Sequence, residues 1–321
     1  MDKKNVVYLF PGQGAQYSGM AHDFLSSSAV KALFDTADEI NGKDMKALLA
    51  SDADTLKRTD VSQPAITLAN LSAAAYLGEQ GYSPAACAGF SLGEYSALVL
   101  SGVITAADCF RLIKARGEAM QKNSDRLREE CGGDATAAPG MSAVVGLAPK
   151  EVEELIAKWS AEGLKDLYAA NINSPKQLVV SGTASALTEA ETRFKSAGAK
   201  RVIRLQVAGP FHSPLMAQSA EIFAPVLETI TFNDPTVALF SNVTGKKVSS
   251  GAEAKKLALQ QITSPVRWVE EEASIAEIGA SACLEVGPGK VLQGLWRDSV
   301  TVGEIPCYLA GTVEDTGKIG S

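Results

Sequence analysis

Histidine is nearly absent from this chain: His22 and His212 are the only two in 321 residues. Any chemistry that needs an imidazole base must use one of them. The five cysteines (Cys87, Cys109, Cys131, Cys283 and Cys307) are odd in number and form no C-x-x-C pair. That argues against a zinc site and a disulfide framework, and makes a reducing cytoplasm the expected home. No apolar run reaches the roughly 18 residues of a membrane helix. The opening MDKKNVVYLF lacks the long apolar core and small-residue cleavage site of a secretion signal. There is no basic tail and no basic cluster rich in aromatics, and the net charge is −7. Nucleic acid is therefore not an expected partner.

What is present is core-forming material, with 46% hydrophobic residues. That suits one large domain, or a large domain with a smaller insert. NVVYLF (5–10) reads as a buried strand, 28–50 and 63–80 as helices, 85–90 as a short strand, and 92–101 and 105–121 as helices. The polar stretch 122–140 reads as a linker. From 141 to 207 the order becomes β-α-β-β-α-β, with strands at 141–147, 166–172, 177–182 and 200–207. This is the split βαβ, or ferredoxin-like, arrangement. Strands at 237–242 and 282–288 and a helix at 251–262 then return to the first domain. The expected class is α/β, with 1–140 and 208–321 forming one subdomain around a mostly parallel sheet and 141–207 forming the second.

The residues that point to chemistry are Gly89-Phe90-Ser91-Leu92-Gly93, with a short apolar run before and a helix-prone run after. G-x-S-x-G between a strand and a helix is a nucleophile elbow, which pushes the serine hydroxyl out of a tight turn. Backbone N–H groups at the start of the following helix can stabilise an oxyanion. Serine needs a base. His212, in the loop AGPFHSPLM, is the candidate, while His22 reads as the start of a surface helix. No acidic third member stands out, and more than 100 residues follow His212, unlike the usual hydrolase order. PGQGAQ (11–16) lacks the third glycine of a dinucleotide turn and reads better as a loop lending an N–H to the oxyanion hole.

LFPGQGAQYSGM, SQPA, GFSLGEYSAL, RLIKARGEAMQ, NINSPKQLVVSG, FHSPLM, SNVTG, SPVRW and LEVGPGKVL occur in that order. Together they resemble the malonyl-CoA:acyl carrier protein transacylases of fatty-acid synthesis and the acyltransferase domains of polyketide synthases, from about residue 5 to 312. The resemblance implies an α/β-hydrolase-like large subdomain with a ferredoxin-like small one. It implies Ser91 as nucleophile and His212 as base, with the main-chain carbonyl of Gln261 orienting the imidazole in place of an acid. The oxyanion hole would be the amides of Gln13 and Leu92. Arg116 would grip the free carboxylate of malonyl, since a planar guanidinium fork matches a carboxylate; read alone, Arg116 is an ordinary helix arginine. Gln63 and Asn173 would line the site, and Asn242 would support the His212 loop. Leu92 and Phe211 match the malonyl-selective pattern, Phe211 filling the space a 2-methyl branch needs. Phe90 departs from the family, which most often has histidine there.

The implied reaction is ping-pong transfer of malonyl from malonyl-CoA to holo acyl carrier protein, with no metal and no bound cofactor, by a monomer. Lys114, Arg126, Arg128, Lys176, Lys200, Arg201 and Arg204 are candidates for a local carrier-docking patch. The alternatives are a serine thioesterase or acyl hydrolase on the same fold, a free-standing polyketide acyltransferase, and a catalytically silent carrier-binding scaffold.

Overall fold

Five apolar residues in a row, Val6–Phe10, form strand β1, and all five are buried. A strand buried on both faces belongs inside a sheet covered by helices on each side. Alternate residues indeed enter different cores: Val6, Tyr8 and Phe10 join one cluster, Val7 and Leu9 the other. The computed structural model describes residues 2–134, 136–299 and 302–320.

Its strands are β1, β2 (Ala86–Gly89), β3 (Gly140–Val145), β4 (Leu167–Ser174), β5 (Gln177–Gly182), β6 (Arg201–Arg204), β7 (Ala238–Ser241), β8 (Lys246–Lys247), β9 (Ala282–Glu285) and β10 (Cys307–Leu309). They make two sheets, β10-β9-β1-β2-β7-β8 and β4-β5-β3-β6. In the first, the neighbours from β10 to β7 run parallel and β8 is an antiparallel edge. In the second, every pair is antiparallel. Numbered within their own segment, its strands lie in the order 2-3-1-4. This is the arrangement expected when two β-α-β units interleave. Helices Pro149–Ala161 and Ala184–Ser196 cover one face around Trp159 and Phe194.

Three expected boundaries shift. The stretch 28–50 breaks into Ser28–Asn41 and Met45–Leu49, because Gly42 takes φ 65° as a C-cap and Asp44 caps the second piece. The helix expected from 63 begins at Thr59. The supposed linker is helical as far as Glu130, extending the helix Ala106–Glu130. Its last turns carry few apolar residues but are tied by Gln121 to Asp125 and by Arg126 to Glu130, pairs four residues apart on one face.

The parallel strands β1, β2 and β7 point their carboxyl ends the same way. Ligands of open α/β sheets bind at that end, and there lie Pro11-Gly12-Gln13, the elbow and Asn242. No described helix is long and apolar enough to cross a membrane.

Candidate active site

The elbow exists because two glycines leave no room for a side chain. A Cβ on Gly89 would collide with the backbone of Gly93 and Glu94, and one on Gly93 with the carbonyl of Phe10. Ser91 between them takes φ 50°, a left-handed conformation that L-residues avoid. Such strain costs on the order of 1–3 kcal/mol and persists only where surroundings enforce it. Here Asn242 enforces it: its Oδ1 accepts from the Ser91 N–H at 2.7 Å, and its Nδ2 donates to the Gly89 carbonyl at 2.7 Å. Asn242 thus braces the elbow rather than the His212 loop.

His212 arrives from the loop after β6, 121 residues on, and also has positive φ, 56°. Ser181 on β5 fixes that loop by donating to the Phe211 carbonyl at 2.5 Å. The His212 Nε2 lies 2.7 Å from the Ser91 Oγ, and Nδ1 lies 2.9 Å from the Gln261 carbonyl. A carbonyl only accepts, so the ring proton sits on Nδ1 and leaves Nε2 free to take the hydroxyl proton. Burial, reinforced by the nearby Arg116 charge, lowers the His212 pKa to about 4. The imidazole is therefore neutral at physiological pH.

Gly12 packs against the Phe90 carbonyl, which brings the Gln13 loop against the elbow. The amides of Gln13 and Leu92 have no acceptor among the described residues. Two free N–H groups beside a serine hydroxyl suit a developing oxyanion.

Arg116 is 1% exposed, and no carboxylate of the described residues forms an ion pair with it. It donates to the Gln261 Oε1 at 3.0 Å and packs on the Tyr95 ring with its guanidinium carbon 5.4 Å from the ring centre. Its Nε has no partner, and burial lowers its pKa. Arg116 lines the same pocket as Ser91 and His212. A buried cation without a counter-ion is costly, so this pocket is built to receive an anion. Gln63 and Asn173 line it too; the Oε1 of Gln63 and the Oδ1 of Asn173 have no partner. Phe211 and Leu92 complete the wall near the serine, and Phe90 stacks edge-on against Trp268 with ring centres 5.4 Å apart.

Sequence reasoning missed the buried acids behind the elbow. The Oε2 of Glu94 accepts from the Gln261 side chain at 2.7 Å and from the Asn242 N–H at 3.2 Å. The Oε2 of Glu271 accepts from the Asn242 Nδ2 at 2.8 Å. Burial raises both pKa values, that of Glu94 to about 7. One signal was available: Glu94 is the lone charge in the otherwise uncharged helix GEYSALVL. Of the seven basic candidates, Arg126 pairs with Glu130, and Lys114 donates to the Ile40 carbonyl at 3.1 Å. Arg128 and Arg204 line a cleft that shares Leu205, Gln206 and Val207 with the Ser91 pocket.

An elbow serine beside a neutral histidine, at the carboxyl end of a parallel sheet, defines the acyl-transferring class of serine α/β enzymes. The chain belongs to the acyl transferase domain family, whose pattern matches residues 7–318. The malonyl CoA-acyl carrier protein transacylase of Bacillus subtilis is 36% identical over 293 residues, 90% of this chain and 89% of that one. A crystal structure of the corresponding transacylase from Streptococcus pneumoniae superimposes with a TM-score of 0.88 at 32% identity, covering 98% of each chain. A malonyl-transacylase in complex with a type II polyketide acyl-carrier protein gives 0.87 at 33% identity, covering 97% of each chain.

Proposed function

We propose that this enzyme moves a malonyl group from malonyl-CoA to the phosphopantetheine thiol of an acyl carrier protein. The observation that carries the reading is Arg116: a buried, unpaired guanidinium in the pocket of the elbow serine. A neutral acyl chain has no use for it, whereas the free carboxylate of malonyl supplies the missing counter-charge through a bidentate pair.

The chemistry follows from the geometry. His212 Nε2 takes the Ser91 proton as Oγ attacks the thioester carbonyl. The amides of Gln13 and Leu92 hold the oxyanion, and the Gln261 carbonyl steadies the imidazolium through Nδ1. CoA leaves with the proton from His212. The carrier thiol then attacks malonyl-Ser91 with His212 again as base. Arg116 holds the malonyl carboxylate through both half-reactions, with Gln63 and Asn173 offering polar contacts along the wall. The Phe211 ring limits space at C2 of the acyl group. No metal or resident cofactor is called for by these steps. All the groups come from one chain, which supports a monomer as the working unit, and the free cysteines suit a reducing cytoplasm.

Incubation with malonyl-CoA, with and without holo carrier protein, tests the reading by intact-mass measurement. Stable malonylation of Ser91 followed by transfer is expected. Rapid release of malonate would favour a hydrolase, and absence of labelling a carrier-binding scaffold. Arg116→Ala should lower malonyl kcat/KM by roughly 30- to 1,000-fold, the loss of one or two charged hydrogen bonds, while acetyl transfer changes little. Equal losses for the two acyl groups refute the clamp.

A further inference from the structure

Gln261 touches the base, the arginine and the elbow at once. Its main-chain carbonyl accepts from His212 Nδ1 at 2.9 Å, and its Oε1 accepts from Arg116 at 3.0 Å. Its Nε2 donates to the Ser91 carbonyl at 2.9 Å and to the Glu94 Oε2 at 2.7 Å. Gln261 is fully buried, so water cannot replace a lost partner.

The orientation of that amide is fixed from both ends. Arg116 carries only donors, so it must face Oε1. The Glu94 carboxylate and the Ser91 carbonyl must face Nε2. A flipped amide would set NH₂ against guanidinium and oxygen against two oxygens. Glu94 is the only acidic side chain among those acceptors. It is 4% exposed and forms no ion pair among the described residues. Arg116 and Glu94 are therefore linked through the Gln261 amide, its oxygen accepting from the first and its NH₂ donating to the second.

We infer that Glu94 is a positioning residue for the reaction. Acting through the Gln261 side chain, it aligns Arg116 for the substrate carboxylate and keeps that alignment in step with the Ser91–His212 pair. Glu94 touches neither substrate nor reacting atoms. Its place three residues after the nucleophile, in the first turn of the helix Gly93–Leu100, ties the aligning acceptor to the elbow itself. Glu94 is thus a determinant of acyl-group choice as well as of rate. The inference rests on the malonyl reading above.

Single-turnover acylation of Ser91 by malonyl-CoA and by acetyl-CoA tests it, read by intact mass in wild type, Glu94→Ala, Glu94→Gln, Gln261→Glu and Arg116→Ala. In Glu94→Ala, malonyl kcat/KM should fall about 30- to 100-fold, and the malonyl-over-acetyl preference at least about tenfold, as the buried Gln261 amide loses its acceptor. Glu94→Gln keeps an acceptor oxygen there and should hold the preference within about threefold of wild type. Gln261→Glu sets a carboxylate against Arg116 in place of the substrate's own. It should cut malonyl transfer about 100-fold and acetyl transfer less than about tenfold. A Glu94→Ala preference equal to wild type overturns the inference, even if both rates drop together, because that is the signature of a merely structural role. Should Glu94→Ala not fold, an undiminished preference in Gln261→Glu overturns it instead. A wild type that is never malonylated, or an Arg116→Ala that keeps its preference, sinks the malonyl reading and is distinguishable from failure of this one.

Discussion

The two sheets wall one pocket and contribute different things to it. From the ends of the parallel strands come Gln13, Ser91 and, behind them, Asn242; the helices around that sheet add Arg116, Gln63 and Glu94. These carry charge, nucleophile and oxyanion amides. From the antiparallel sheet come Met141, Val179 and the half-buried Asn173, apolar or neutral groups that give the pocket its shape. His212 lies on the segment that joins the two, its loop pinned to the small sheet by Ser181 and its ring turned to the large one. Substitutions on the large-sheet side should therefore remove chemistry, and those on the small-sheet side should adjust fit.

The largest effect tests the first half. Ser91→Ala should lower malonyl transfer to holo carrier protein by about 10⁴-fold or more, and His212→Ala by a similar amount. Because the two act as a unit at 2.7 Å, the double variant should be scarcely worse than either alone. Malonylation of holo carrier protein, followed by the mass of the carrier, measures all three. Multiplicative losses would show that the pair does not work together and would blur the division between the sheets.

The next effect is pH dependence, read on the joining residue. Burial lowers the His212 pKa to about 4, so its neutral form persists well below the ordinary value near 6.5. Single-turnover acylation should stay flat from pH 8 to about 5 and fall only near 4, because Glu94, whose pKa burial raises to about 7, keeps an acceptor oxygen for Gln261 in either protonation state. Between those limits the unfolded chain takes up a proton that folded His212 refuses. Stability is thus lost as pH drops through 6.5 towards 4, by about 3 kcal/mol at most. Denaturant midpoints across that range measure it. An acid limb at 6.5 would place His212 in water and remove the contrast between its buried ring and the open wall.

A smaller change is expected at Phe211, buried next to the base. Phe211→Ser should improve use of 2-methylmalonyl-CoA relative to malonyl-CoA by about tenfold, since one methyl group is worth only about 1–3 kcal/mol. Competition between the two substrates, followed by mass, reports it. No change in the ratio would mean that the ring does not border C2.

What the sequence reveals divides along the same line. The split βαβ pattern of 141–207 is legible because each strand and helix there has its own period and punctuation. The elbow is legible because its geometry is local: two glycines and a serine within five residues dictate the turn. Arg116, Gln261 and Asn242 carry no such local mark. Their meaning comes from contacts spanning 145, 170 and 151 residues, and only resemblance to a family placed the first two beforehand. Asn242, expected at the His212 loop, holds the elbow instead, because a loop position in sequence does not say which way an amide points. Glu94 went unread since a charge in an apolar helix is as often a solvated edge as a buried acceptor. The stretch 122–130 reads as a linker although it is helical, because surface turns held by polar pairs lack an apolar stripe.

The smallest expected effect is the sharpest test of the shape-only side. Asn173 stands on β4, its Nδ2 donating to the Gln177 Oε1 at 3.2 Å and its Oδ1 unpartnered. A neutral hydrogen bond to bound substrate is worth about 1 kcal/mol, roughly a fivefold change in affinity. Asn173→Ala should therefore raise KM for malonyl-CoA about fivefold and leave kcat nearly unchanged, because the contact would be equal in ground and transition states. Steady-state kinetics with saturating carrier protein separates the two constants. A loss that falls on kcat would mean that the small sheet also reaches the transition state, and the division of labour between the sheets would have to be redrawn with Asn173 on the chemical side.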